Sequence, residues 1–408
     1  MYKIIAISLI ALHFVFRLFI NVVDYKSRNR RIPTELEGVF DEERYLKWKR
    51  YKADIVRVDI IESCVSFALI LGLLLGNVFS LAAANIENPY VATIAVLGIY
   101  IGASTVFDIP FAYYNSIVIE GRYGFNNSSV KTFVVDQIKK LIIEVALFLG
   151  LTCLFQLIHT SLGDWTLLLF SGILLVFMLG LSFLYPVLSK VFNKFTPLEE
   201  GELRTALIAM LEKHNYKVRD IKVMDASRRT TKSNAYFTGF GKSKTIVLYD
   251  NLLKVMDNEQ ILGIFAHEMG HGLHKDTLKN SIASIVQIAI LVTLAWLMVR
   301  YPQIYADFGF GAVNYGLAVI LFFSSVMPFV SLLLGLFTSR MSRRAEYRAD
   351  EQAFKEGYAD ALISGLKVLF REDLGDLNPH PLVVALYYSH PTLLQRVQHI
   401  EKLKNEKE

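Results

Sequence analysis

The sequence predicts a mostly α-helical, polytopic membrane protein with a small α+β portion outside the bilayer. Three observations carry that reading. Of 408 residues, 53% are hydrophobic and the mean hydropathy is +0.38, against roughly 45–50% apolar residues in soluble domains. The apolar residues gather into runs of about 20 or more, the length of a bilayer-crossing helix. The charged residues sit in the loops between those runs. Only Cys64 and Cys153 are cysteines, both in apolar runs, which excludes a disulfide framework or a cysteine-rich metal site. The net charge of +5 includes no basic block interleaved with aromatics, so no nucleic-acid partner is expected.

Seven runs qualify as transmembrane helices, near 2–23, 58–84, 90–117, 134–158, 165–192, 281–299 and 313–337. The first is too long for a signal-peptide core, contains His13 and Arg17 and lacks a small-residue cleavage site, so it reads as a retained span. Nine Lys and Arg lie between Lys26 and Lys52, whereas 85–88, 159–164 and 301–311 carry none. The positive-inside rule then puts the N-terminus outside, with 193–279 and the C-terminal tail in the cytosol. His13, Arg17, Asp59, Glu62, Asp108 and Glu144 lie in or at the ends of spans. Such groups face protein or water rather than lipid. Ion pairs between packed helices and a hydrated chamber explain them equally well.

Four sections follow: a five-span region at 1–192, a soluble piece at 193–279, spans six and seven at 280–338, and a second soluble piece at 339–408. In the first soluble piece Thr196-Pro197 reads as a break and 198–214 as an amphipathic helix. Residues 220–224 read as a strand. Residues 235–240 and 245–249 alternate as a hairpin turned at 241–244. Residues 258–274 form a further helix, and 339–408 is mostly helical until 375–381.

The helix at 258–274 contains His267-Glu268-Met269-Gly270-His271. Positions i and i+4 share a helix face, so both imidazoles reach one metal ion. Zinc suits these ligands, and a catalytic zinc site keeps one position open for water. Glu268 stands beside that position as the base that takes a proton from the water. A third ligand is still needed. Thr277 occupies the place where some HExxH proteins have a third His, but Glu346 and Asp350, four apart on a later helix, offer carboxylates. Glu346 suits the metal, and Asp350 suits the outer nitrogen of a ligating His. Further on, Ser389-His390-Pro391 and Arg396 supply an imidazole and a guanidinium. Near a metal these can stabilise an oxyanion; as bare residues, a His and an Arg near the C-terminus are more often surface groups.

The combination of HExxH, then Ser339-Arg340 with Glu346-Tyr347 and Ala349-Asp350, then Ser389-His390-Pro391 with Arg396 resembles the type I CAAX prenyl endopeptidase family of integral-membrane zinc proteases. Phe192–Leu198, Ser233–Gly239, Ile246–Asp250 and Ile119–Asn126 extend the resemblance over the chain from the second span onward. It implies seven transmembrane helices in a barrel around a hydrated chamber, with the zinc-protease domain at the cytosolic end. It implies one Zn2+ per chain on His267, His271 and Glu346, Glu268 as base, Asp350 as partner of a ligand, and His390 and Arg396 as transition-state aids. It also implies that Asn234, Ala235, Tyr236, Phe237 and Thr238 hold the substrate backbone as an added strand. The expected partners are a peptide or protein substrate, prenylated in the family's typical case, and membrane lipid. A monomer is expected, in a bacterial inner membrane or the endoplasmic reticulum. One departure stands out: the family's eukaryotic members continue HExxH with Trp-Lys-Leu-Gly-His, where this chain has Gly272-Leu273-His274-Lys275-Asp276. The alternatives are a membrane quality-control metallopeptidase of the HtpX kind, which has fewer spans, and a seven-span receptor or transporter, which needs no zinc ligands.

Overall fold

The computed structural model describes residues 1–216, 218, 220–238 and 245–406, the side chains at 182–188, 191, 192, 237 and 238 excepted. Long helices dominate. Six stretches are long and apolar enough to cross a bilayer: Tyr2–Ser27, Glu42–Leu75, Pro89–Arg122, Val130–Leu181, Asp276–Val299 and Tyr315–Lys355. The sequence predicts seven. The difference lies in Val130–Leu181, which takes in the predicted runs at 134–158 and 165–192. Gly163, at φ 53, stands at their junction. Phe155 and Phe170 meet edge to face across it with centroids 5.0 Å apart, so this one stretch folds back on itself.

Other boundaries moved for local reasons. The Glu42–Leu75 helix starts well before its apolar part, where the Asp41 carboxylate accepts from the Arg44 amide. It stops short of the predicted end because Asn77 adopts φ 50. The run at 313–337 begins as Tyr315–Leu321, capped by Asn314, widens into a π-turn at Phe322–Val326 and continues as Met327–Lys355. The predicted section boundary at 338/339 therefore falls inside an unbroken helix. Glu62 lies within electrostatic reach of Asp59 on its own helix and of Asp108 on another, and Arg17 of a third reaches both Asp59 and Glu62. At the other end of the helices, an apolar cavity of about 410 Å3 is lined by Phe155, Phe170, Val292, Tyr315 and Phe322 among others.

The soluble part holds a four-stranded sheet of order β1-β2-β4-β3. Its strands are β1 (Phe195–Pro197), β2 (Asp220–Met224), β3 (Ala235–Thr238) and β4 (Thr245–Tyr249). β2 and β4 are parallel, and β3 runs antiparallel to β4 with Ala235 opposite Leu248. The predicted strand at 235–240 is described only as far as Thr238, and the predicted turn at 241–244 lies outside the described residues. The Thr196-Pro197 break is a correction. Both residues belong to β1, with Phe195 opposite Met224 and Pro197 opposite Lys222. Three residues show no periodicity, and a proline is tolerated there because β1 is an edge strand that needs no outward amide. β3 forms the other edge.

The Asn258–Leu273 helix starts at a reciprocal cap between Asp257 and Gln260. It is wrapped on most sides: Ile261, Leu262, Phe265, Ala266 and Met269 are all buried. It packs against Met327–Lys355 and Ala359–Glu372. Contact with the first of these is very close at Gly270, where a Cβ would lie 2.8 Å from the Ala349 Cα. Gly270→Ala is expected to force the two helices apart. Overpacking of this kind costs about 1–3 kcal/mol. The variant should show a lower unfolding temperature together with reduced metal content; neither change would mean that the helices part freely. Tyr123 and Phe125, in the loop after the third stretch, join the same core. The Thr231 amide donates to the Phe125 carbonyl at 3.2 Å, tying that loop to the soluble part.

Candidate metal centre

His267 and His271 leave the same face of their helix with ring centroids 4.9 Å apart and planes nearly perpendicular. The Met327–Lys355 helix brings Glu346 against them. His267 Nε2 lies 3.4 Å from one Glu346 oxygen and His271 Nε2 lies 3.3 Å from the other. One atom from each of the three residues falls within 4.8 Å of the others. Glu346 Oε2 is buried and makes no hydrogen bond. A buried carboxylate oxygen left this way carries a desolvation cost unless a cation meets it. The donor set is two imidazoles and one carboxylate, with both Nε2 atoms turned toward Glu346, and it fits a zinc ion.

The outer nitrogens are fixed. His267 Nδ1 donates to Asp350 Oδ1 at 2.8 Å, and Asp350 is fully buried. His271 Nδ1 donates to Asp276 Oδ2 at 3.1 Å. Each bond puts the proton on Nδ1 and turns the Nε2 lone pair into the site. Burial and the Arg396 guanidinium push His267 down, but its contacts with Asp350 and Glu346 outweigh them and leave it above the ordinary histidine range. Burial likewise lowers His271, and Glu346 more than reverses this, so its pKa is pushed up to about 9. Both shifts mark a pocket that attracts positive charge.

Asp276 is the residue that the sequence reading missed. It stands in the segment where the chain departs from the resembled family. Lys275, at φ 56, turns the chain left-handed and starts the next helix with Asp276 facing back to His271. Arg348 Nη2 also donates to Asp276 at 2.8 Å. No spacing rule reports a carboxylate five residues after a ligand across a helix break. Asp276→Asn keeps the shape and loses the charge, and should weaken zinc binding by about tenfold, within the range for partners of metal ligands. Competition with a chromogenic chelator would measure it, and unchanged affinity would remove Asp276 from the site.

Glu268 is half-buried beside these groups. Burial pushes its carboxyl up from the ordinary range. Among the described residues, no hydrogen bond or ion pair engages it. Arg396 is buried and grips Asp350 with two bonds, Nη2 to Oδ1 at 2.5 Å and Nε to Oδ2 at 3.0 Å. Its Nη1 is 3.7 Å from Glu346 Oε2. Thr392 caps the helix that carries it. His390 keeps an exposed ring, with Nε2 3.4 Å from Glu346 Oε1. β3 packs beside the Asn258–Leu273 helix, with Asn234 exposed just ahead of it. The Asn234 carbonyl accepts from the Tyr249 amide at 3.0 Å, and its side chain accepts from the Ala235 amide at 2.9 Å. Tyr236 meets the Tyr249 ring edge to face. The backbones of Phe237 and Thr238 pair with Ile246 and Thr245.

Known proteins resemble this chain over nearly its whole length. Residues 22–194 match the family model described as CAAX prenyl protease N-terminal, five membrane helices. Residues 197–404 match peptidase family M48. A CAAX prenyl protease 1 homolog of Arabidopsis thaliana is 31% identical over 91% of this chain and 90% of its own length. CAAX prenyl protease 1 of Saccharomyces cerevisiae is 28% identical over 97% of this chain and 94% of its own. The crystal structure of S. mikatae Ste24p superposes with a TM-score of 0.90 at 28% identity, covering 98% of this chain and 99% of that one. The chain belongs to peptidase family M48, as a membrane-spanning metalloendopeptidase.

Proposed function

We propose that the protein hydrolyses peptide bonds in prenylated, CAAX-type proteins, using one zinc ion per chain held by His267, His271 and Glu346. The observation that carries this reading is the convergence of those three ligand atoms within 4.8 Å beside a carboxylate, Glu268, that no hydrogen bond or ion pair engages among the described residues. Zinc, when bound, supplies a Lewis acid that acidifies water and polarises a carbonyl. The chain's own residues do the rest. Asp350 and Asp276 hold the two imidazoles in one tautomer. Glu268 accepts a proton from water and passes it to the leaving amine nitrogen. The open edge at Asn234 and Ala235–Thr238 takes the substrate backbone as an added strand. His390, on the exposed side, donates to the carbonyl oxygen as charge develops there. Arg396, clamped on Asp350, keeps that carboxylate against His267 and adds positive charge near the reacting carbonyl.

The prenyl requirement is drawn from the relatives, whose names describe CAAX prenyl proteases. The quality-control reading is not favoured, because the N-terminal five-helix match and the whole-length structural match both point to the CAAX branch. In the same reading the chain crosses the membrane seven times as a monomer. Residues 1–192 and 280–338 enclose a chamber, and 193–279 with 339–408 form the protease domain on the cytosolic side of an endoplasmic reticulum or bacterial inner membrane. The test is mass-spectrometric cleavage of a farnesylated CAAX peptide by the purified protein, beside the same peptide without lipid. Cleavage confined to the farnesylated peptide is expected. Equal cleavage of both would remove the prenyl requirement and leave a general membrane peptidase.

A further inference from the structure

Away from the metal centre, a cleft of about 410 Å3 opens between Arg28, Lys49, Arg50, Arg57 and Arg122. Three separate segments supply these cations. Arg28 follows the end of the Tyr2–Ser27 stretch, Arg122 ends the Pro89–Arg122 stretch, and Arg57 is the last base before the apolar part of Glu42–Leu75. The three ends sit level. Lys52 Nζ is 2.9 Å from Asp24, and Arg122 Nη1 is 2.8 Å from Asp54. The cleft thus lies where three spans leave the apolar layer. Tyr25 marks the same depth. Its ring lies 3.5 Å under the Arg28 guanidinium, and its hydroxyl accepts from Arg57 at 3.3 Å. Tyrosines at that boundary sit at the level of lipid headgroups.

The charges in the cleft do not balance. Asp54 is the one acid lining it. It is already engaged by Arg122, by the Tyr123 hydroxyl at 2.9 Å and by Arg57 at 3.7 Å. Four positive charges remain in excess. Arg50 is exposed and makes no hydrogen bond or ion pair with any described residue, and Lys49 meets only the Tyr45 ring at 4.5 Å. A topological bias needs Lys and Arg only somewhere in the loop, as at Lys26 and Lys47, which are exposed outside the cleft. Side chains from three segments gathered around one hollow favour an anion there. The volume fits a phosphodiester headgroup and is too small for a folded partner, and basic pockets between spans at the membrane surface bind such headgroups.

We infer that this cleft binds the phosphate-bearing headgroup of an anionic phospholipid. The experiment is native mass spectrometry of the full-length protein in detergent, titrated with phosphatidylserine or with phosphatidylcholine. Arg50→Gln with Arg57→Gln removes two cleft charges. Lys26→Gln with Lys47→Gln removes two from outside it and serves as the charge-matched control. Phosphatidylserine should bind the unaltered protein in preference to phosphatidylcholine. The cleft variant should lose about tenfold or more in that affinity, and the control less than about twofold. Equal loss in both variants, or no preference for the anionic lipid, would overturn the site. A third arm adds soluble glycerophosphoserine. Its failure to displace the lipid at millimolar concentration is expected, and full displacement would reassign the cleft to a soluble phosphate compound. Loss of folding in the cleft variant would show as a lowered melting temperature. In that event the single Arg50→Gln variant, which removes a side chain that has no hydrogen bond or ion pair among the described residues, carries the test and should lose several-fold; no loss would overturn the site.

Discussion

Glu268→Gln is expected to lower the peptidase rate by about 10²–10⁴-fold, the contribution of a positioned general base, while the metal stays in place. Glutamine has nearly the same shape, so the helix that carries both imidazoles should be undisturbed. It cannot accept a proton. Glu268 is suited to that task by its freedom, since among the described residues neither an ion pair nor a hydrogen bond occupies its oxygens. Its burial matters too, because a carboxyl raised above the ordinary range holds a proton better between its arrival from water and its transfer to the amine. Single-turnover cleavage and elemental analysis on the same preparation would test this. A variant that is metal-loaded and active would show that the base lies elsewhere.

Glu346→Ala should have the largest effect on metal content. Glu346 faces both imidazoles and His390, at 3.3–3.4 Å. Without it the site retains two neutral donors and no charge to offset that of a dication. The loss in affinity should exceed the roughly 10–100-fold that follows removal of an outer partner, so the purified variant should be close to metal-free. Activity should fall in step and return only at high added zinc. Equilibrium dialysis against a zinc buffer would measure the affinity, and full stoichiometric retention would put the third ligand elsewhere.

Much of the site was legible because its parts repeat at helical spacing. His267 with His271, and Glu346 with Asp350, are each four residues apart, and the structure joins the two helices face to face. β2 and β4 were legible because their apolar residues are flanked by polar ones. The rest depends on contacts that no local pattern encodes. Asp276 reaches His271 only because Lys275 turns left-handed. β1 has three residues and a proline. Gly270 gives no sign in sequence that Ala349 will press against it. Arg396 looked like a group aimed at the substrate, and its two bonds to Asp350 were hidden by a separation of 46 residues.

The unbroken Met327–Lys355 helix makes the third ligand the tip of a lever. Nineteen residues separate Met327 from Glu346, about 28 Å at 1.5 Å per residue. A change of only about 5° in helix tilt, of the kind that bilayer thickness imposes, would carry Glu346 sideways by roughly 2–3 Å. Metal–ligand distances tolerate about 0.2 Å, so Glu346 cannot swing alone and keep its ion. The clasp at Gly270 and Ala349 supplies the answer: the histidine helix is bound to the lever and travels with it. A thicker or thinner membrane would then raise, lower or tip the catalytic centre relative to the lipid surface without altering its internal distances. The reach of the centre toward lipid-anchored chains, rather than its chemistry, would be the quantity that the bilayer adjusts.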